Sequence, residues 1–352
     1  MTMKYLVTGG CGFLGTNLSA QVLENDEDLI IFDDLSSTGS EDNLSWLKKR
    51  GALTFVYGDI SDPCDIKQAI KQYRPDVIFH LAGQPAMSTS FINPRLDFET
   101  NTVGTVNILE ALRCLSPSTT LIYSSTNKVY GDLNNTKLLE GDRRYSCPDY
   151  PKGFDETLPL YFHSPHSCSK GAAEQYVLDY TRNFGLNAVV FRHSTIFGLR
   201  QFSSSEHGWI SMFCQQALET LSDPDRAPFS VCGNGKQVRD VLFVSDAVDC
   251  YFSAVKRIDT VRGEVINIGG GVNNSLSILE LFGYLEELTG VKLNFETLPW
   301  RTNDQRFYAS NNSKAMKLLS WEPKISSKEG IRKMYEWITL EQKESSEELA
   351  SS

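Results

Sequence analysis

The chain has 352 residues and carries 34 Lys and Arg against 44 Asp and Glu, a formal net charge of −10. That length can bury a large core and leaves room for one sizeable α/β domain and a smaller second region. The charge argues against nucleic acid or an anionic membrane as partner, because counterion release needs clustered cations, so any bound phosphate has to be gripped locally. No apolar run approaches a membrane span, and a strand begins within the first residues, leaving no space for a signal peptide; a cytoplasmic chain is expected. The 8 cysteines are scattered singly and read as reduced thiols, and neither they nor the 5 histidines show metal-ligand spacing, so no metal site is expected.

The first strand, Tyr5-Leu6-Val7-Thr8, runs into a glycine-rich turn and then a helix whose Leu14, Leu18 and Val22 form one apolar face. Gly9 permits the tight turn, Gly12 lets the backbone approach a pyrophosphate, and Gly15 lets the helix pack on the strand. Phe13 and Leu14 open the helix whose amides face the anion. The second strand, from Leu29, ends in Asp33 and Asp34, roughly 20 residues beyond the glycines, as a dinucleotide fingerprint requires. Asp33 is placed on the adenosine ribose. No Lys or Arg follows among Leu35, Ser36, Ser37 and Thr38 to neutralise a 2′-phosphate, which favours NAD over NADP.

A third strand spans Leu53 to Ile60, and its last residues, Asp59 and Ile60, border the adenine; Asp62 just beyond reads equally as a helix N-cap. The fourth strand, Val77 to Gly83, puts Leu81, Ala82 and Gly83 at the sheet edge where a doubly wound sheet receives its ligand, with Gln84 following toward the substrate. His80 reads either as part of that edge or as a packed core imidazole. Asp97 to Leu115 has helical spacing, and Thr120 to Ser125 is a fifth strand leading through Ser124 into Thr126 and Asn127. Residues 132–156 form a polar insertion. A helix from His166 to Phe184 and a sixth strand from Leu186 to Phe191 follow, ending at His193 and Ser194. These elements predict an α/β fold: a Rossmann-type doubly wound parallel sheet over residues 1–198, then a mainly substrate-binding region over 199–325 with segments returning to the first. The acidic tail 341–352 reads as disordered.

Five motifs, TGGCGFLG at 8–15, HLAG at 80–83, SSTNKVYG at 124–131, SCSK ending at Lys170 and GNGKQVRD at 233–240, resemble the extended short-chain dehydrogenase/reductase family of nucleotide-sugar epimerases and dehydratases over essentially the whole chain. Within it, the stretches FHSP, CSKGAAEQY, VVFRHS and DQR at 304–306 are most similar to the 2-epimerases of CDP-linked dideoxyhexoses, which serve bacterial surface polysaccharide synthesis. The resemblance implies bound NAD+ as a catalyst that takes a hydride from the sugar C2 and returns it to the opposite face. It also implies a homo-oligomer. Thr126 would hydrogen-bond the reacting oxygen, and Lys170 would bind the nicotinamide ribose, as Ser124 and His193 would line the cofactor.

The family's catalytic Tyr, four residues before that lysine, is replaced by His166, with Ser167 where similar proteins carry Gly. Three readings of His166 stand open: a working base, altered chemistry or substrate, and an impaired protein. Imidazole suits base work at neutral pH, although it is shorter than phenol, so a water, Ser167 or a shifted sugar would bridge. Tyr161 and His163 lie nearby but before Pro165. Asn127-Lys128 stands where dehydratases carry Asp-Glu, which disfavours dehydration, whereas a UDP-sugar 4-epimerase uses the same residues. A non-catalytic NAD-binding protein is the reading from another class. Arg239 and Arg306 are the expected diphosphate ligands, with Ser194 and Asn234 toward the sugar and the base.

Overall fold

The computed structural model describes residues 2–202 and 208–351, with 344–351 described by backbone alone. Seven parallel strands form the main sheet: β1 (Lys4–Thr8), β2 (Asp28–Asp33), β3 (Thr54–Tyr57), β4 (Val77–His80), β5 (Thr120–Thr126), β6 (Asn187–His193) and β7 (Val265–Ile268). Their spatial order is β7-β6-β5-β4-β1-β2-β3. The winding direction therefore reverses between β1 and β4, and the crevice at that switch point lies outside their carboxyl ends.

Why these segments are strands follows from their burial. Successive side chains point to opposite faces, so a strand covered on both sides must be apolar throughout rather than alternating. Tyr5 and Val7 of β1 join Ile31, Phe79 and Phe191 under the helices Phe13–Glu24 and Val244–Lys256, while Leu6 joins Ile30, Ile78 and Val190 on the other face under Pro63–Tyr73, Gly104–Leu115 and Pro165–Phe184. Asp62 caps the first of these by accepting from Cys64 N at 2.7 Å.

The stretch expected as one helix from Asp97 is interrupted. A π-helical turn, Glu99–Val103, separates the helices Pro94–Phe98 and Gly104–Leu115. Such turns shift the side chains on either side of them, and this one carries Asn101 toward the crevice.

From Thr195 onward the chain builds a smaller sheet from Thr195–Phe197, Val238–Phe243, Ser275–Ser277 and Phe307–Tyr308. Its Phe197, Val241, Phe243 and Leu276 pack with Phe213, Leu281 and Met334 from three helices. Within the polar insertion, Leu139–Glu140 pairs antiparallel with Tyr145–Ser146. The helix Ser327–Ser351 runs through the segment whose composition reads as disordered. Ile331, Met334 and Ile338 anchor its first half in the core, and Glu, Gln, Lys, Leu and Ala, all good helix formers, carry it onward.

Candidate functional site

The turn after β1 has the geometry its glycines imply. Gly9 sits at φ +69°, and a Cβ there would stand 2.7 Å from Ala82 N. One on Gly15 would collide with the Gly9 carbonyl. Gly12, by contrast, would meet only that carbonyl, at 3.3 Å, and as N-cap of the helix Phe13–Glu24 it places no side chain over the first amides, where Phe13 and Leu14 begin. The cradle therefore fits a pyrophosphate. Asp33, buried at the end of β2, accepts from Cys11 N at 2.9 Å and Leu35 N at 2.8 Å. Burial pushes its carboxyl up, with those two amides opposing. Each oxygen keeps a lone pair, so the carboxylate fits ribose hydroxyls as well. Asp34 instead caps the following loop through Ser36.

Along the same edge, Asp59 closes onto Ser61 N at 2.8 Å and Ile60 is buried beneath Gly104. Leu81 and Ala82 donate to Thr8 O, which locks the end of β4 onto β1. His80 is a core imidazole, with Nδ1 2.8 Å from Thr8 Oγ1 and Nε2 3.0 Å from Thr105 Oγ1. Burial and Lys170 push it down to about 3, so it stays neutral. A Cβ on Gly83 would stand 2.7 Å from Asn101 Oδ1, and Gln84 N donates to that same oxygen.

The second wall is β5 and the helix Pro165–Phe184, which pack together. Ser124 Oγ lies 3.1 Å from His193 Nδ1, and His193 Nε2 lies 2.9 Å from Tyr251 Oη, a chain closing the edge between β5 and β6. Thr126, paired across the sheet with His193, accepts from Lys128 N at 3.2 Å. Lys170 Nζ stands 4.7 Å above the Tyr123 ring and, among the described residues, makes no hydrogen bond. Burial pushes it down to about 8.

One turn earlier lies His166, 5 % exposed. Burial, Lys170 and Lys128 hold its pKa below the ordinary value, and Asp97 acts against them. Ser167 is not available as a relay: it completes a capping box, with its Oγ donating to Ser164 O at 2.8 Å and accepting from His163 N and Ser164 N. His163 sits 2.8 Å from Asp132 and against the exposed Tyr161 ring.

On the substrate side, Arg239 pairs with Asp304 at 2.6 Å, and Lys128 Nζ stands 4.0 Å from the same oxygen. Burial, with Arg239 and Arg301 adding to it, pushes Lys128 down to about 8. Here is a local excess of cations on an acidic chain. Arg306 is exposed, its guanidinium 5.3 Å above the Trp300 ring. Asn234 donates to Tyr145 Oη at 2.9 Å and accepts from Lys236 N. Asn127 donates to Gln305 at 3.1 Å, and Ser194 donates to the buried Asp240. The structure thus brings Thr126, His166, Lys170 and Lys128 to one wall, whereas the Ser194 and Asn127 side chains hydrogen-bond to Asp240 and Gln305.

Asp97, Asn101, Lys128 and Asp304 join the site without a site role assigned from the sequence. A signal existed for the first two: an Asp and an Asn four apart, in a stretch whose Phe98, Val103, Val106 and Leu109 have helical spacing, mark polar groups with a task. Among the described residues no three His, Cys, Asp or Glu are grouped to hold a metal, and no helix is long and apolar enough to cross a membrane.

Comparison with known proteins supplies the context. The CDP-paratose 2-epimerase of Salmonella typhi is 51% identical over 337 residues, covering 96% of this chain and 99% of that one. A UDP-glucose 4-epimerase of Mycolicibacterium smegmatis is 30% identical over 336 residues, covering 96% and 98%. Among solved structures, the UDP-glucose 4-epimerase of Thermotoga maritima with UDP-glucose superposes with a TM-score of 0.83 at 28% identity, covering 97% and 100%. A Thermus thermophilus UDP-glucose 4-epimerase in complex with NAD gives 0.78 at 27%, covering 95% and 98%. Residues 5–269 match the NAD dependent epimerase/dehydratase family, and with a nucleotide cradle of the matching kind, the chain belongs to that family.

Proposed function

We propose that the protein is a nucleotide-sugar epimerase that inverts C2 of a CDP-linked dideoxyhexose of the paratose and tyvelose type. The observation that carries this is 51% identity to a CDP-paratose 2-epimerase along 96% of the chain. Gly9, Gly12, Gly15 and Asp33 hold the adenosine diphosphate half of NAD, and Leu81, Ala82, Gly83 and Ser124 line the other half. NAD, when bound, supplies the hydride acceptor and donor and ends each cycle as it began.

The chain's own residues handle the proton and the charge. Thr126 donates a hydrogen bond to the reacting C2 oxygen, and His166 Nε2 takes the hydroxyl proton and later returns it. Lys170 grips the nicotinamide ribose. Burial first, and then the Lys170 and Lys128 ammoniums, disfavour imidazolium, so the ring rests neutral and ready to accept. Lys128, Arg239 and Arg306 receive the diphosphate, and the forked guanidiniums suit its oxygens. Asn234, beside Tyr145, borders the base.

The active form is a homo-oligomer: Leu96, Phe98, Tyr176 and Phe184 on two packed helices leave large apolar side chains exposed. A cytoplasmic setting fits eight free cysteines. The test is incubation with CDP-paratose, CDP-tyvelose and UDP-glucose followed by NMR. Interconversion of the two CDP-sugars alone supports the assignment; conversion of UDP-glucose to UDP-galactose alone makes it a 4-epimerase.

A further inference from the structure

Asp97 is 0 % exposed, at the end of the short helix Pro94–Phe98 where the π-helical turn begins. A buried carboxylate is costly unless its oxygens are met by donors. Asn101 Nδ2 donates to Oδ1 at 3.2 Å, and Ser169 Oγ donates to Oδ2. Oδ1 has capacity for another donor. It faces His166 Nδ1 at 3.6 Å.

That nitrogen is sealed from solvent and, among the described residues, has no hydrogen-bond partner. A buried imidazole nitrogen without a partner is an unfinished contact, and the Asp97 carboxylate beside it is a group able to complete it. The gap exceeds hydrogen-bond length by a few tenths of an ångström, and such pairs commonly tighten once a ligand fills the crevice. The other ring nitrogen, Nε2, makes no hydrogen bond among the described residues.

We infer that Asp97 is a positioning residue for His166: it takes the Nδ1 proton as a hydrogen bond, fixes the Nδ1–H tautomer and leaves the Nε2 lone pair for the sugar hydroxyl. The inference rests on His166 being the base. A tyrosine at this position would carry a single oxygen and need no such orientation; an imidazole has two nitrogens, and only one tautomer presents a lone pair at the substrate. When Nε2 accepts the proton, the ring becomes cationic between Lys170 and Lys128, and Asp97 is the one anion among the three charged groups that act on it. The pair thus compensates for what the family's phenol does alone, through the logic by which a carboxylate orients a catalytic histidine elsewhere.

The test is long-range proton–nitrogen NMR of the histidine-labelled protein, with His166 assigned by its loss in His166→Ala. Wild-type protein is expected to show the Nδ1–H tautomer. In Asp97→Asn the ring should shift toward the other tautomer or a mixture. Its protonation should move to lower pH, because the one neighbour favouring the cation is gone. Turnover should show the same: kcat falls about 100-fold or more with KM within a few-fold, and the acid limb of the rate profile moves to lower pH. Asp97→Glu should recover part of the rate. A wild-type Nε2–H tautomer overturns the inference without any variant, as does a folded Asp97→Asn protein with unchanged tautomer and pH profile. Full activity in His166→Ala removes the base assignment itself, while an inactive His166→Ala beside a fully active Asp97→Asn removes only the role of Asp97.

Discussion

Ser167 and Ser164 close on each other at the start of the helix that carries His166, the Ser167 hydroxyl giving its proton to Ser164 O at 2.8 Å and Ser164 N donating back to it at 2.9 Å. With its proton committed there, the hydroxyl is a cap rather than a bridge to substrate. Ser167→Gly should therefore cost about 1 kcal/mol of stability, as loss of a capping contact does, and leave kcat within about two-fold. A collapse of kcat in a folded variant would restore Ser167 as a relay.

Lys128 gives a pH signature. Burial with Arg239 beside it pushes its ammonium down to about 8, so in the free protein it gives up its proton well below the usual lysine range. An arriving diphosphate raises that pKa, because an opposite charge favours the cation. Binding of CDP at pH 8.5 should then take up protons. Calorimetry in buffers of different ionisation enthalpy should show it, and Lys128→Met should reduce the uptake. Without ligand the sign is opposite in its consequence: a lysine lowered on folding adds stability as pH rises from about 8 toward its unfolded value near 10.4.

Behind the site, Arg192 Nε donates to Glu174 at 3.1 Å, Arg192 also donates to Tyr130 Oη at 2.8 Å, and Ser125 donates to the same carboxylate at 2.9 Å. All of this is buried, tying the helix Pro165–Phe184 to β5 and β6. Arg192→Met strands a buried anion and should cost about 3–5 kcal/mol in urea unfolding. Adding Glu174→Gln should recover part of that loss; a double variant as unstable as the sum of the singles would deny the coupling.

Asp33 answers for cofactor choice. Asp33→Ala removes the ribose acceptor and the charge that repels a 2′-phosphate, so NAD affinity should fall about 10- to 100-fold while the preference over NADP narrows. Fluorescence titration with both nucleotides measures it. An unchanged ratio would place selectivity elsewhere.

The glycine turn, Asp33 and the strands of the doubly wound sheet were legible in the sequence because each rests on local spacing: apolar runs buried on both faces, glycines where a Cβ collides, a carboxylate at a strand end. His80 carries a different lesson. Position alone left it between edge and core, and only its contacts with Thr8 and Thr105, 72 and 25 residues away, decide for the core. Ser194 reads from its strand end as a substrate contact, yet its partner Asp240 comes from a distant strand. Asp97 was missed for the same reason: what makes it matter is an imidazole 69 positions away in the chain, brought close by the π-helical turn and the packing of two helices.

On the proposed reading, epimerisation at C2 proceeds by hydride removal and return with His166 as base. The most direct measurement is NMR of CDP-paratose incubated in D2O with wild-type protein and with His166→Ala. Conversion to CDP-tyvelose with protium retained at C2 is expected of the wild type, and none of the variant. Deuterium at C2 would mean that the C–H bond exchanges with solvent, and turnover by His166→Ala would mean that another group takes the proton; either result contradicts it.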